Sequence, residues 1–169
     1  MTDWAAKARR GDDSAFAELA HACKEKLYRI AFAYLRNEAD ALEAVQETVC
    51  RAYQKIRKLK EPEHVLTWIT RILLNYCADE VKRRSRSGVA PADYAAAAWD
   101  HPSDPDLQAA VRGLDPKYRQ IVILMYFEGY TLTEIASLLD LPSGTVKTRL
   151  HKALQELRRH LGEGEDAHG

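Results

Sequence analysis

Between Thr131 and Leu157 the chain reads TLTEIASLLDLPSGTVKTRLHKALQEL, two helical patterns joined by a break so short that they must fold as a helix-turn-helix. Thr131 and Glu134 form the S/T-x-x-E box that satisfies free N–H groups at a helix start, and Ile135, Ala136, Leu138 and Leu139 supply its apolar side. Asp140-Leu141-Pro142 ends that helix, because proline disfavours helical geometry in the residue before it, and Ser143 is placed to cap the next. Asp140 holds a turn position often given to glycine, which is tolerable because aspartate tolerates unusual backbone angles. Val146, Leu150, Ala153, Leu154 and Leu157 then recur as one buried stripe, and Lys147, Thr148, His151 and Lys152 form the opposite one. From Ser143 to Arg159 the bases Lys147, Arg149, Lys152, Arg158 and Arg159 meet one acid, Glu156. Donor-rich side chains at the start of a second helix suit the DNA major groove, and their local excess of charge suits phosphate.

The total charge is silent about partners, since 25 basic residues balance 25 acidic ones, so its distribution carries the information. Arg51 to Arg86 is a basic stretch, Asp93 to Asp106 contains aspartates and no base, and acids cluster from Glu38 to Glu47. No apolar run reaches the length of a membrane span, and MTDWAAKARRGDD lacks a signal peptide's apolar core, which leads us to expect a soluble, cytoplasmic protein. Cys23, Cys50 and Cys77 show no CxxC spacing and no histidine at ligand distance, so free, buried thiols in a reducing compartment are expected and no metal. The absence of GxxxxGK[ST], HExxH and GxSxG motifs argues against an enzyme, and no cofactor is expected.

Helical periodicity elsewhere implies an all-α chain. Phe16, Leu19, Cys23, Leu27, Ile30, Ala31 and Tyr34 make one amphipathic helix from about Asp13 to Asn37. Leu42, Val45, Val49, Ala52, Tyr53, Ile56 and Leu59 make the next. Pro62 opens a third, with Val65, Trp68, Ile69, Ile72, Leu73 and Tyr76 toward the core. The pattern dissolves from Ser85 to about Asp104, which reads as a flexible linker. Asp104-Pro105 and Asp115-Pro116 then start two further helices, the second burying Ile121, Val122, Leu124, Met125 and Phe127, ahead of the helix-turn-helix. Two small helical domains result, the C-terminal one of four helices.

The third helix carries a second polar constellation. Thr67, Arg71, Asn75, Ala78 and Lys82 share the side away from Trp68 and Ile69, and Lys82-Arg83-Arg84-Ser85-Arg86 follow. Lysines and arginines can hold a nucleic-acid backbone, while an asparagine amide offers donors and an acceptor to a base edge.

In this order the segments resemble the extracytoplasmic-function sigma factors of bacteria. DDSAFAELAHACKEKLYRIAFAYLRNEADALEAVQETVCRAYQKI is similar to the start of the family's first domain, TWITRILLNYCADEVKRR to its promoter −10 helix, and LDPKYRQIVILMYFEGYTLTEIASLLDLPSGTVKTRLHKALQELR to its −35-binding domain. The resemblance implies a first domain over residues 1–86, a linker over 87–104, a second domain over 105–162 and an acidic tail over 163–169. It implies that Asp40, Glu43, Val45, Gln46, Glu47 and Arg51 dock on the clamp of the largest subunit of core RNA polymerase, and that the second domain meets the flap of the second-largest subunit. It implies that Thr67, Arg71, Asn75, Lys82, Arg83 and Arg84 serve the −10 element, Asn75 taking a flipped base, with Trp68 left to the core. Ser143, Thr145, Lys147, Thr148, Arg149, His151 and Lys152 are the implied −35 set. An anti-sigma factor, commonly membrane-anchored, is the implied regulator and would hold the chain at the inner face of the membrane.

This sequence departs from the family where Lys147 and Lys152 replace frequent arginines and His151 an aromatic. Lysine lacks the planar two-donor fork, so the −35 sequence read here differs or rests more on phosphate contacts. The rival reading is a stand-alone dimeric helix-turn-helix regulator, for which the basic Asn75 helix has no evident use.

Overall fold

The computed structural model describes residues 1–88 and 105–166. These are helical apart from short turns, with no strand among the described residues, so the all-α expectation holds. Two compact units divide the chain, Met1–Ala92 and Asp93–Gly169.

The first unit contains α1 (Thr2–Arg9), α2 (Asp13–Leu35), α3 (Glu38–Lys55) and α4 (Val65–Ser87), with single 3-10 turns at Ile56–Lys58 and Pro62–His64. Side-chain oxygens begin two of these helices: Asp12 accepts from the Ala15 N–H at 3.0 Å and Asn37 from the Asp40 N–H at 3.0 Å, each satisfying an otherwise free donor. The expected stripe of α2 is buried in full, from Phe16 to Tyr34, and α2 packs against both α3 and α4. Pro62 opens its tight turn rather than the long helix itself, which starts three residues later.

Three features of this unit differ from the periodic reading. Helix α1 is unheralded, because it buries little more than Ala5 and Ala8; Arg9 fastens its end by donating to the Leu59 and Lys60 carbonyls at 3.2 and 3.1 Å. On α3 the core face is Ala41, Ala44, Val45, Thr48 and Ala52, while Leu42 and Tyr53 are 44% and 50% exposed. Small side chains let helix backbones approach closely, so the packed face is the alanine face rather than the bulky one. On α4 the buried residues are Val65, Ile69, Thr70, Leu73, Leu74 and Cys77, which leaves Trp68, Ile72 and Tyr76 half-exposed. The Thr70 hydroxyl donates to the Leu66 carbonyl at 2.7 Å, so its burial leaves no open donor.

The second unit contains α5 (Pro105–Gly113), α6 (Pro116–Val122), α7 (Leu132–Leu139) and α8 (Ser143–Asp166). Asp115 caps α6 by accepting from the Lys117 N–H at 3.1 Å, with Pro116 in the first turn as expected. A wider π turn, Ile123–Phe127, continues α6 and shifts its register. Ile123 therefore joins Leu124 in the core, while Met125 and Phe127 are only half-buried and Tyr126 is 58% exposed. Ala110, Val111, Leu114, Val122, Ala153 and Leu157 pack together, with Leu107, Tyr118, Phe127, Leu154 and Leu161 against them.

The capping box of α7 forms in both directions, Glu134 N–H to Thr131 at 3.2 Å and Thr131 N–H to Glu134 at 2.7 Å. Asp140 closes the helix in left-handed backbone, φ 54°. Its N–H reaches the Ser137 carbonyl at 3.3 Å and the Leu141 N–H reaches that of Ala136 at 2.9 Å, the paired bonds of a Schellman turn. The Pro142 carbonyl accepts from Thr145 and Val146, so Ser143 lies inside the first turn of α8 instead of capping it. Helix α8 runs on to Asp166, into the stretch expected as an acidic tail. Of the expected linker, Ser87 ends α4 and Gly88 follows with φ 68°, where a Cβ would be strained; residues 89–104 and 167–169 lie outside the described residues.

Candidate nucleic-acid interface

Helix α8 divides as its sequence requires, burying Val146, Ala153 and Leu157 and exposing Lys147, Thr148, His151 and Lys152 on the other side. Ser143 is also exposed, whereas Thr145 and Arg149 are half-buried on the flanks of the stripe. The Thr148 hydroxyl donates to the Gly144 carbonyl at 2.9 Å, which leaves its oxygen able to accept. Gln155 is exposed one turn beyond His151 and two beyond Thr148, and extends the stripe beyond the set chosen from sequence. Continuing the same spacing would have found it.

A second exposed stripe runs along α4. Asn75 is exposed, the half-buried Trp68 precedes it by two turns and the half-buried Arg71 by one, and the exposed Lys82 follows by two. Trp68 therefore belongs to this surface as much as to the core in which the periodic reading placed it. The exposed Arg86, one turn past Lys82, also joins the stripe, and with Lys82, Asp79, Arg83 and Ser87 it lines a shallow surface groove. Thr67 and Ala78 are half-buried at its edge.

Arg83 and Arg84 are differently engaged. Arg83 donates to both Glu80 carboxylate oxygens at 2.6 and 3.0 Å. Arg84 donates through Nε to Glu80 at 3.0 Å and through Nη1 to Asp40 of α3 at 2.5 Å. The hydrogen bond from Arg83, helped by that from Arg84, holds the Glu80 carboxyl below its ordinary range against the opposing effect of burial. Arg84 is thus tied into the fold, and Asp40 with it.

The residues expected to meet polymerase separate in the same way. Val45 is buried among the alanines of α3 and offers nothing to a partner. Glu43 and Gln46 are exposed, Glu47 pairs with Arg51 at 2.8 Å, and the Arg51 guanidinium lies over the Tyr76 ring. Leu42 and Cys50 share the exposed side with Gln46, which makes a mixed apolar and polar face; of these, sequence periodicity had turned Leu42 inward. No group of His, Cys, Asp and Glu among the described residues could hold a metal ion.

Residues 19–87 match the family description Sigma-70 region 2, and residues 105–157 match Sigma-70, region 4. The chain is 34% identical to the RNA polymerase sigma factor SigV of Bacillus subtilis over 82% of its own length and 86% of that protein's. It is 29% identical to the ECF RNA polymerase sigma factor SigW of the same organism, covering 90% and 92% of the two chains. The chain belongs to the extracytoplasmic-function RNA polymerase sigma factors. Its fold is shared with the sigma factor RpoE of Bartonella quintana, solved with the anti-sigma factor NepR, at TM-score 0.74, 22% identity and coverage of 87% and 96%. The structure of CnrH with the cytosolic domain of CnrY is similar at TM-score 0.71, 23% identity and coverage of 96% and 97%. As a sigma factor the protein directs RNA polymerase to promoters, and the stand-alone regulator is not favoured. None of its described helices is long and apolar enough to cross a membrane.

Proposed function

We propose that this sigma factor divides promoter recognition between its two exposed stripes and docks on polymerase through α3. The −35 element is read in the major groove by Lys147, Thr148, His151 and Lys152, with Ser143 and Thr145 at the helix start and Arg149 and Gln155 at the margins. Lysines in place of arginines shift the balance toward phosphate contacts. Asn75, between Trp68 and Lys82, receives an extruded −10 base, Arg71 lines the same face with Thr67 at its edge, and Lys82, Arg83 and Arg86 hold the backbone. Opening a duplex costs unstacking and unpairing, and a site that captures one freed base lowers that cost while selecting the base. Leu42, Glu43, Gln46, Glu47 and Arg51 meet the clamp of the largest subunit, and the second unit meets the flap of the second-largest. The protein acts by binding and not as a catalyst.

The observation that carries this reading is the α4 stripe, in which the exposed Asn75 amide and Lys82 share one side with the half-buried Trp68 indole and Arg71. A solvated helix face has no reason to show Trp68, whereas base stacking does. The domains follow as 1–86 for core binding and −10 recognition and 105–162 for −35 recognition. An anti-sigma factor is the regulator, a reading supported by the complexes in which the two structural relatives were solved. The protein acts in the cytoplasm and is held at the inner face of the membrane when that regulator is anchored there. Run-off transcription with bacterial core polymerase, on DNA from upstream of the protein's own gene, tests the whole reading. A transcript that requires the chain is expected; palindrome binding without polymerase would favour the dimeric regulator instead.

A further inference from the structure

We propose that Asp40 and Arg84 form a positioning link through which the docked helix α3 fixes the end of the −10 helix α4, and that neither side chain contacts polymerase or DNA directly. The link rests on the roles given above to α3 and α4. Asp40 lies in the first turn of α3 and Arg84 in the last turn of α4, 44 residues apart, and their side chains are only 17% and 29% exposed. Each stands at the helix end whose dipole favours its charge. The guanidinium spends one edge on Asp40 and its Nε on Glu80, and both oxygens of Glu80 also accept from Arg83. A fork used in this way cannot also grip a phosphate with two donors.

Lys82 and Arg86 flank this network, exposed and without an ion pair among the described residues. They are the cations of the proposed backbone grip that no carboxylate engages among the described residues, and the network sets where they stand relative to α3. Leu42, Glu43 and Gln46 begin within two turns of Asp40 on the proposed docking face. A polymerase holding those residues therefore also holds, through Asp40 and Arg84, the end of the helix that must grip DNA while Asn75 takes its base.

Holoenzyme assembled with the full chain tests the link by permanganate reactivity of the −10 region, counted per bound holoenzyme, alongside core affinity and the salt dependence of promoter binding. Asp40→Asn and Arg84→Gln should each lower opening about tenfold, and the double variant no further, as coupled partners do. Core affinity should stay within about threefold, and the salt slope should be unchanged. Arg84→Lys should not restore opening, since an ammonium cannot bridge two carboxylates in the guanidinium's geometry. Loss of folding in Arg84→Gln would leave Arg84→Lys and the isosteric Asp40→Asn to carry the comparison. A slope reduced by about one in Arg84→Gln would make Arg84 a phosphate contact and overturn the proposal. Core affinity lost in Asp40→Asn alone, or strictly additive losses, would overturn it too. A wild-type chain that yields no transcript removes the functional reading as well, whereas an active wild type with normally opening variants removes the link alone.

Discussion

The guanidinium of Arg51 lies 5.3 Å from the centroid of the Tyr76 ring while its Nε donates to Glu47 at 2.8 Å, so one arginine of α3 closes against the residue next to Asn75. Besides its place on the proposed docking face, Arg51 thus clasps α3 to α4. Arg51→Ala should cost stability by about 0.5–1 kcal/mol, the scale of a solvent-accessible cation–π contact. Glu43→Lys should leave stability nearly unchanged and weaken core-polymerase binding. Thermal unfolding and fluorescence titration with core enzyme measure the two, and wild-type core affinity in a well-folded Glu43→Lys variant would move the docking surface off this face of α3.

Asn75→Ala should impair promoter opening more than closed-complex binding, because the lost hydrogen bonds exist only to an extruded base. Trp68→Ala should do the same through lost stacking, by about 1–3 kcal/mol, without changing which base is preferred. A template with the −10 bubble already opened and its bases varied singly separates these effects. Normal opening and unaltered base preference in the Asn75 variant would reduce that residue to a solvated surface amide.

Lys147→Ala and Lys152→Ala should both weaken −35 recognition. A lost base contact costs about 1–3 kcal/mol and relaxes specificity at one position, whereas a lost phosphate contact weakens all sequences alike and lowers the salt slope by about one. Competition between promoters varied only at −35, repeated at two salt concentrations, assigns each lysine. Variants with wild-type affinity and preference would take them off the reading face.

Thiol labelling gives an independent view of α3. Cys23 and Cys77 are buried as expected, and burial pushes the Cys77 thiol up to about 12, far from the reactive thiolate; against that expectation Cys50 is exposed, because it lies on the unpacked side of α3 with Leu42 and Gln46. Maleimide should modify Cys50 alone in the native protein and all three residues in denaturant. Core polymerase should protect Cys50, which shares the exposed side with Gln46; undiminished labelling in the holoenzyme would contradict docking through that face.

Glu80 supplies a pH signature. Its carboxyl is held below the ordinary range by the hydrogen bond from Arg83, then by that from Arg84, with burial opposing. A depressed folded pKa means stabilisation that is complete above the unfolded carboxylate value and lost as pH falls through the lower folded value. Wild-type Tm should therefore decline more steeply below the carboxylate range than that of Glu80→Gln, which is less stable at neutral pH. Parallel Tm curves from pH 7 to 3 would show that the network contributes no such linkage.

Local chemistry made much of this protein legible in its sequence. The capping box of Thr131 and Glu134, the Asp115 cap before Pro116, the stripe of α2 and both sides of α8 follow from hydrogen-bonding groups and apolar spacing within a few residues of one another. The break at Asp140-Leu141-Pro142 was legible for the same reason, and the structure adds that Asp140 takes it in left-handed backbone. The π turn after Val122 was not, because no spacing rule marks where a helix widens.

What only the tertiary structure decided is which side of α3 and α4 would be packed. Periodicity weighs a side chain by its apolar size, and on α3 it chose Leu42 and Tyr53 along with Val45 and Ala52; two helices in close contact select by how near their backbones can come, and so kept Val45 and Ala52 and added Ala41 and Ala44. The same rotation brought Trp68 out beside Asn75 and drew Leu74 and Cys77 in. Arg84 could be counted from sequence as one more cation near DNA, but its charge is answered by Asp40, 44 residues away, and a partner that distant exists only once the helices have met.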